Sequence, residues 1–272
     1  MRILHTSDWH LGLDFYGVSL LEEQRRMIDE IAQIAVDEGV AAVLVAGDIF
    51  DRAVVAPDAI ALYNYAMRRL CLEARLRVIL CAGNHDGAAR LSSLRDLLRR
   101  AGLYIFGRVG ERDDQVDLGE AVVHVLPYVH TDDVRIAYPQ EQERIACAAD
   151  AMRIALDHRR PEKGDGRRHI LMAHCIAAGG RTGQSDRAAA VGGALAVPTT
   201  LFAPYDYTAL GHLHRPQTLS GAPVRYSGTP LCYSFAEADQ EKSVTLLDTE
   251  DMSWRAVPLH PLHKVLRAQG TM

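Results

Sequence analysis

The chain has 272 residues, of which 48% are hydrophobic and 24% charged, and its formal net charge is −5 at pH 7. This composition is typical of a globular protein and excludes a long disordered stretch. The negative charge argues against a surface that is basic overall and binds nucleic acid by charge alone. No apolar run reaches the roughly 18 residues of a membrane span, and the first residues lack the apolar core of a signal peptide. We therefore expect one large α/β domain in the cytoplasm, without contact with a membrane.

Strand and helix patterns alternate in the N-terminal half. Residues 2–6 and the continuous apolar run 41–46 predict two strands, and apolar residues at helical spacing over 27–35 predict a helix between them. The unit repeats with a helical stripe over 60–74 and a strand over 78–82. Because strand, helix and strand in this order are typical of a parallel crossover, we expect a parallel sheet in this half.

The remainder of the chain predicts shorter elements. Residues 159–168 and 179–193 are rich in polar residues and glycine, which indicates surface loops. The C-terminal strands are joined by turns and are expected to be antiparallel or mixed. Helices are predicted over 91–101 and 145–155, and strands over 121–126, 170–173, 207–210, 223–227, 243–247 and 254–257.

Aspartate, asparagine and histidine recur at the ends of the predicted strands. In open α/β sheets, ligands bind at the carboxyl ends of the strands, so these positions are candidates for a functional site. The candidate residues are Asp8, His10, Asp48, Asn84, His85, His174, His212 and His214.

Each of these residues taken alone has a structural explanation. A single histidine is more often a surface or core residue than a ligand, and Asp8 or Asp48 can close a turn. Asp48, however, follows a fully apolar strand, where an unpaired carboxylate is costly unless a cation neutralises it. Asn84 offers a neutral amide oxygen, and an extended segment puts His212 and His214 on the same side. Because five strand ends carry such residues together, we interpret the set as a metal site.

The mixture of donors indicates which metal is bound. Nitrogen and oxygen donors together suit Mn²⁺, Fe²⁺ or Zn²⁺, whereas Mg²⁺ and Ca²⁺ prefer oxygen alone and structural zinc sites usually contain cysteine. We therefore expect two divalent cations, with manganese as the first choice. Two cations that share one aspartate can activate water and hold a phosphate for in-line attack, which predicts hydrolysis of a phosphate ester.

Five short motifs carry a resemblance to a known family. Asp-x-His, Gly-Asp-x-x-Asp, Gly-Asn-His-Asp, an isolated histidine and Gly-His-x-His occur in this order along the chain. With them the chain resembles the calcineurin-like metallophosphoesterase superfamily over nearly its whole length. The resemblance implies an α/β fold in which two packed mixed β-sheets are flanked by helices. Segments 7–12, 47–51 and 226–230 further resemble those bacterial DNA nucleases of the superfamily that act with an ATPase subunit.

The resemblance also implies a role for each candidate residue. His85 would donate a proton to the leaving oxygen or stabilise the transition state, Asp51 would orient its ring, and Arg52 would hold a phosphate oxygen. A surface position without a function is an equally simple interpretation of Arg52. Asp48 would bridge the two metals. One metal would be held by Asp8, His10, Asp48 and His214, and the other by Asp48, Asn84, His174 and His212.

The substrate implied by the resemblance is DNA, cut from 3′ to 5′ at duplex ends and internally in single strands. Relatives of this kind also have a capping region and helices that bind their ATPase subunit. We expect residues 1–272 to form the phosphoesterase domain alone, without these regions. Two alternatives stay open. One is a small phosphodiester or a phosphoprotein as substrate, which the negative charge favours, and the other is a scaffold without catalysis.

The predicted helices over 60–74 and 91–101 suggest an interface. In the nuclease-like interpretation they form a homodimer contact, with Tyr63, Met67 and Leu94 as exposed apolar residues. Packing of these residues against the sheet is the alternative.

Overall fold

Strands and helices alternate through the computed structural model, which describes residues 1–111, 114–161, 164–183 and 196–268. The strands predicted from apolar runs are confirmed, and several short ones are added. In chain order the strands are β1 (Arg2–Thr6), β2 (Asp14–Phe15), β3 (Val18–Ser19), β4 (Ala42–Ala46), β5 (Arg77–Cys81), β6 (Leu103–Phe106), β7 (Gln115–Asp117), β8 (Ala121–Leu126), β9 (Arg168–His174), β10 (Tyr207–Gly211), β11 (Gln217–Thr218), β12 (Val224–Tyr226), β13 (Ser243–Asp248) and β14 (Trp254–Pro258).

Six α-helices connect the strands in the described part of the chain. The second one continues into a π-helical turn over Arg68–Glu73, so the predicted helix over 60–74 is confirmed with a wider last turn. None of the helices in these ranges combines the length and apolar character needed to cross a membrane. The helices are α1 (Leu21–Asp37), α2 (Pro57–Met67), α3 (Ala88–Leu91), α4 (Arg95–Leu98), α5 (Thr131–Ala137) and α6 (Ala148–Asp157).

The first large sheet has six strands in the order β14-β13-β1-β4-β5-β6. β1, β4, β5 and β6 are parallel, as the crossover pattern predicts, and β13 is antiparallel to both of its neighbours. Every residue of β4 is buried. A continuous apolar strand of this kind is stable only where both faces of the sheet are covered.

The second large sheet also has six strands, in the order β11-β12-β10-β9-β8-β7. The four inner strands are parallel, and the outer strands β11 and β7 are antiparallel to their neighbours. Both sheets are therefore mixed. A separate hairpin is formed by β2 and β3.

Three apolar layers hold the sheets and helices together. Ile3, Leu44 and Met172 belong to the layer between the two sheets. Ile28 of α1 packs in a layer on the outer face of the first sheet, and Ile154 of α6 packs in the corresponding layer of the second sheet. The predicted arrangement of two mixed sheets flanked by helices is thus confirmed.

Some local predictions differ from the structure. The predicted helix over 91–101 is divided into α3 and α4 because Leu94 has a φ of 59°, a left-handed conformation that interrupts helical geometry. The apolar pattern does not predict β6 or α5, which have only four and seven residues. Residues 162–163 of one predicted loop and 184–193 of the other lie outside the described residues.

The apolar residues expected at a dimer interface lie in different environments. Met67 is buried, and Tyr63 is partly buried with its ring centroid 5.3 Å from that of Phe50. Both pack against the first sheet, so the prediction that they are exposed is wrong and the packing alternative holds for them. Leu94 is 70% exposed, as predicted.

His5 of β1 links the two sheets. Its buried ring forms hydrogen bonds of 3.2 Å with the Tyr207 hydroxyl and with the Leu210 carbonyl. Burial, and after it the positive charge of Arg225, lowers the pKa of His5 to about 3. The folded chain therefore holds His5 neutral, while the unfolded chain takes up a proton near pH 6.5.

We predict that His5 makes the fold less stable in mild acid. Its pKa is lower in the folded chain, so the unfolded state binds more protons between pH 6.5 and about 3, and stability falls as the pH falls through this window. Between pH 6.5 and 5 the loss is about 2 kcal/mol. Urea unfolding of the wild type and of His5→Gln at both pH values measures this loss, and His5→Gln should lower it by the amount that His5 contributes.

The matched control is His263→Gln, because the His263 side chain is 89% exposed. This variant should keep the pH dependence of the wild type. A His5→Gln chain with the wild-type dependence would show that His5 is not the group responsible.

Candidate metal centre

The candidate residues come together at the carboxyl ends of strands from both sheets. The Asp8 carboxylate accepts the main-chain N–H of His212 at 2.9 Å, which joins the sheets at this edge. Asp8 and His10 follow β1, Asp48 follows β4, Asn84 and His85 follow β5, His174 ends β9, and His212 and His214 follow β10.

Several of these residues have a backbone conformation that is rare outside glycine. The φ angle is 53° at Asp8, 44° at His10, 49° at Asp48 and 99° at His212. Such conformations cost on the order of 1–3 kcal/mol each and persist only where the surrounding contacts impose them. Their concentration at one edge of the sandwich indicates a functional site.

Two glycines allow the strand ends to approach each other. A Cβ atom at Gly211 would lie 1.8 Å from the main-chain oxygen of Ala46, and one at Gly83 would lie 2.1 Å from Asp48 Oδ1. Any other residue would push these segments apart. The glycines of the Gly-Asn-His-Asp and Gly-His-x-His motifs are therefore required by packing.

Two groups of donor atoms meet at Asp48. Its Oδ2 atom lies 3.3 Å from His174 Nε2 and 3.8 Å from His10 Nε2, so one carboxylate oxygen faces both groups. This is the position that a bridging ligand needs. Within each group the donor atoms lie no more than 4.8 Å apart, and the groups are Asp48, His174 and His212, and Asp8, His10 and His214.

Asn84 lies next to the Asp48 group. Its Oδ1 atom is 3.0 Å from His174 Nε2 and 2.8 Å from His212 Nδ1, and these two nitrogens are 3.2 Å apart. His174 Nδ1 lies 2.8 Å from the Ala46 carbonyl and donates its hydrogen there, which directs Nε2 at the group. Three donor atoms from three strand ends thus converge.

The donors fit divalent cations. Both ring nitrogens of His10 are buried and have no hydrogen-bond partner among the described residues. Buried polar atoms without a partner cost free energy, and a bound cation would supply one. A set of imidazoles, carboxylates and one amide without cysteine suits Mn²⁺, Fe²⁺ or Zn²⁺.

Burial controls the protonation of the donors. It lowers the pKa of His10 and of His212 to about 3, so both rings are neutral and able to bind a cation. Burial has the same effect on His174, but the Asp48 carboxylate outweighs it and raises the pKa of this ring to about 9. The same contact holds the pKa of Asp48 below its usual range although burial opposes this. A cation beside Asp48 would therefore displace the proton of His174.

The loops that carry the donors are held by residues outside the predicted set. Gln24 of α1 is fully buried, and its side chain donates to the His10 carbonyl at 2.7 Å and accepts from the Gly12 N–H at 3.0 Å. Asp86 accepts three main-chain N–H groups from the loops after β4 and β5. The helical pattern of α1 does not show that one of its polar residues is buried, so sequence reasoning misses Gln24.

Glu237 is a second residue that the motifs do not contain. It is 1% exposed, and its Oε1 atom accepts from His214 Nδ1 at 2.9 Å. Its Oε2 atom accepts from Lys242 Nζ at 2.7 Å and from Thr229 Oγ1 at 3.2 Å. Burial disfavours the charge, but the His214 hydrogen bond and the Lys242 charge hold the pKa of Glu237 well below its usual range. The ionised carboxylate fixes the hydrogen on His214 Nδ1 and the lone pair on Nε2.

We predict that Glu237→Gln weakens binding of one of two metals by roughly 10- to 100-fold. The neutral amide no longer fixes the tautomer of His214, while the Asp48, His174 and His212 group is unchanged. Titration of the metal-free chain with Mn²⁺ in a calorimeter should show two binding events in the wild type and one weakened event in the variant.

The control for this prediction is Gln240→Ala. It removes a hydrogen bond of 2.9 Å to Lys242 Nζ but leaves the contacts of Glu237 with Lys242 and His214, so both Mn²⁺ affinities should be kept. Equal weakening of both events in the two variants would mean that Glu237 acts on the fold and not on His214.

His85 lies at the exposed side of the donor groups. Its ring centroid is 4.9 Å from that of His10, and its Nδ1 atom lies 2.8 Å from the main-chain oxygen of Asp51. The main-chain carbonyl of Asp51, and not its carboxylate, is thus the group that contacts the His85 ring. The carboxylate lies 3.9 Å from His10 Nδ1 and accepts from Arg52 Nε at 3.1 Å. The Arg52 side chain is 78% exposed.

The fold and the donor set together define a class of protein. The sequence model of the Calcineurin-like phosphoesterase family matches residues 1–216. The chain belongs to this family, which confirms the predicted superfamily and makes it a metal-dependent phosphoesterase. Members of the family act through divalent metals, for which the two donor groups described above are the candidate ligands.

The chain is similar to a nuclease subunit in sequence and to two solved structures in fold. The D subunit of the nuclease SbcCD from Staphylococcus epidermidis is 31% identical over 273 residues, which cover 99% of this chain and 72% of that protein. TT1561 of Thermus thermophilus has a TM-score of 0.51 at 14% identity, covering 94% of this chain and 98% of that one. A dimetal phosphatase from Danio rerio has a TM-score of 0.51 at 11% identity, covering 90% and 91%. At these identities the two structures support the fold alone.

Proposed function

We propose that this chain is a two-metal DNA nuclease, with 3′ to 5′ exonuclease activity on duplex ends and endonuclease activity on single strands and hairpins. The observation that carries the proposal is the position of Asp48 Oδ2 between the two groups of donors. It lies 3.3 Å from His174 Nε2 and 3.8 Å from His10 Nε2. The likeness to a nuclease subunit over 99% of the chain supports DNA as the substrate.

The site residues divide between metal binding and the reaction itself. When bound, the two cations lower the pKa of water and neutralise charge on the phosphate oxygens. Water gives up a proton to solvent and attacks the phosphorus, the bond to the leaving oxygen breaks, and this oxygen takes up a proton from His85. We assign Asp8, His10, Asp48 and His214 to one cation, and Asp48, Asn84, His174 and His212 to the other.

We assign His85 as the residue that donates a proton to the leaving oxygen. Its Nδ1–H remains on the Asp51 carbonyl, so Nε2 is the nitrogen that holds the transferable proton. The exposed ring can touch a substrate that lies over the donor groups. Arg52, which is exposed beside the Asp51 carboxylate, is assigned to a non-bridging phosphate oxygen.

The proposal extends to partners and compartment. We assign the chain to DNA repair and recombination with an SbcC-type ATPase, because its relative is a subunit of SbcCD. Mn²⁺ is the proposed metal on the basis of the donor types.

All five cysteines are free, which supports a reducing compartment such as the cytoplasm. A single phosphoesterase domain, and a homodimer near the exposed Leu94, are kept as further proposals.

We predict that His85→Ala keeps its metals but loses turnover by about 10²-fold or more, because the leaving oxygen loses its proton donor. Asp48→Ala should lose both metals and activity, since one carboxylate serves both donor groups. Cleavage of labelled duplex and single-stranded DNA with added Mn²⁺ measures turnover, and metal analysis of the same samples measures binding. The exposed His263→Ala is the matched control.

The outcomes separate the candidate functions. DNA cleavage that is lost in His85→Ala supports the nuclease. Hydrolysis of bis-p-nitrophenyl phosphate without any DNA cleavage would favour a small phosphodiester or a phosphoprotein as substrate. A fully active His85→Ala chain would contradict the role given to this histidine.

A further inference from the structure

A cavity of about 260 Å³ lies beside the metal centre and contains none of the proposed metal ligands. The first and last residues of the Gly-Asn-His-Asp motif and the two residues after it form one wall. The segments that follow β6 and β8 form the other walls. The lining residues on which the inference depends are Asp86, Gly87, Arg108, Tyr128, His130 and Asp133.

Tyr128 connects this cavity to the metal centre. Its ring lies nearly parallel to that of His212, with an interplanar angle of 21° and a centroid distance of 6.4 Å. Its main-chain N–H donates to the Ala82 carbonyl at 2.8 Å, which fixes the segment after β8 next to the loop that carries Asn84 and His85. A phosphate bound over the donor groups would therefore have its attached group within reach of Tyr128.

The walls of the cavity have both aromatic and charged character. The rings of Tyr128 and His130 are 4.9 Å apart at an interplanar angle of 76°, an edge-to-face contact that gives the wall two aromatic side chains. Arg108 is exposed and Asp133 is partly buried. The Asp86 carboxylate is occupied by three main-chain N–H groups, so it acts as a wall and not as a ligand.

This combination suits a nucleoside better than a second phosphate. A phosphate inside the cavity would meet the carboxylate of Asp133, whereas the N–H groups of a base can donate to it. Aromatic rings stack on any base, which makes the contact independent of sequence. The guanidinium of Arg108 can pair with a phosphate at the edge of the cavity.

We propose that this cavity binds the nucleoside joined to the scissile phosphate, with Tyr128 against the base or sugar and Arg108 beside the next phosphate. The inference rests on the proposed DNA nuclease function and extends it to a substrate subsite. It predicts that the chain prefers nucleotide esters over simple esters.

The first test compares two small substrates on the Mn²⁺-loaded chain. The p-nitrophenyl ester of thymidine 5′-monophosphate carries a nucleoside, and bis-p-nitrophenyl phosphate does not. Tyr128→Ala should lower the ratio of kcat/KM for the nucleotide ester over the simple ester by about 10-fold, because stacking on the base is lost. Tyr128→Phe should keep the wild-type ratio, since it retains the ring.

The second test measures DNA binding without metal, so that it does not depend on turnover. Fluorescence anisotropy of a labelled single-stranded oligonucleotide in EDTA gives the affinity at several salt concentrations. Arg108→Ala should lower the slope of log affinity against log salt concentration by about one, the value for one phosphate contact. Arg100→Ala, which removes another exposed arginine, should keep it.

The failures of the two proposals can be told apart. A wild-type chain that hydrolyses the simple ester but neither cuts nor binds DNA would overturn the nuclease function and the subsite with it. A wild-type chain that cuts DNA, while Tyr128→Ala keeps the substrate ratio and Arg108→Ala behaves like Arg100→Ala, would overturn the subsite alone.

Discussion

The carboxylate of Asp48 is the constraint on which the rest of the site depends. It is 2% exposed, at the end of a strand whose residues are all buried. An ionised carboxylate in such a place is costly unless positive charge compensates it. His174 compensates it on one side, and the buried His10 ring lies on the other without a hydrogen-bond partner among the described residues. Divalent cations would satisfy both groups of donors at once, which is why the site is interpreted as a two-metal centre.

The need to neutralise this carboxylate explains why the site lies where the two sheets meet. Asp48 comes from the first sheet and His174 from the second, and their contact requires that the strand ends approach closely. Glycine at position 211 makes this approach possible, because any Cβ there would collide with the main chain of β4. The residues with positive φ at the strand ends have a strained backbone. Buried residues such as Gln24 and Glu237 hold the donor loops in this conformation through hydrogen bonds to His10 and His214.

Much of this architecture could be predicted from the sequence, for identifiable reasons. The run 41–46 is apolar throughout, and 121–126 is apolar except for His124, because both are covered on both faces, so strand prediction is straightforward there. The donors follow such strands directly, which is why the sequence indicates that they share one edge. The burial of Met67 could not be predicted, because helical spacing does not show which face of a helix meets the sheet. The role of Glu237 could not be predicted either, because it depends on a contact with His214, which is 23 residues away in the sequence.

The sharing of Asp48 between two cations can be tested most directly by electron paramagnetic resonance of the chain loaded with two equivalents of Mn²⁺. Two manganese ions joined by one carboxylate should give the broadened signal of a spin-coupled pair, and Asp48→Ala should abolish it. A signal of isolated Mn²⁺ ions at full loading, or binding of one ion only, would contradict the two-metal centre.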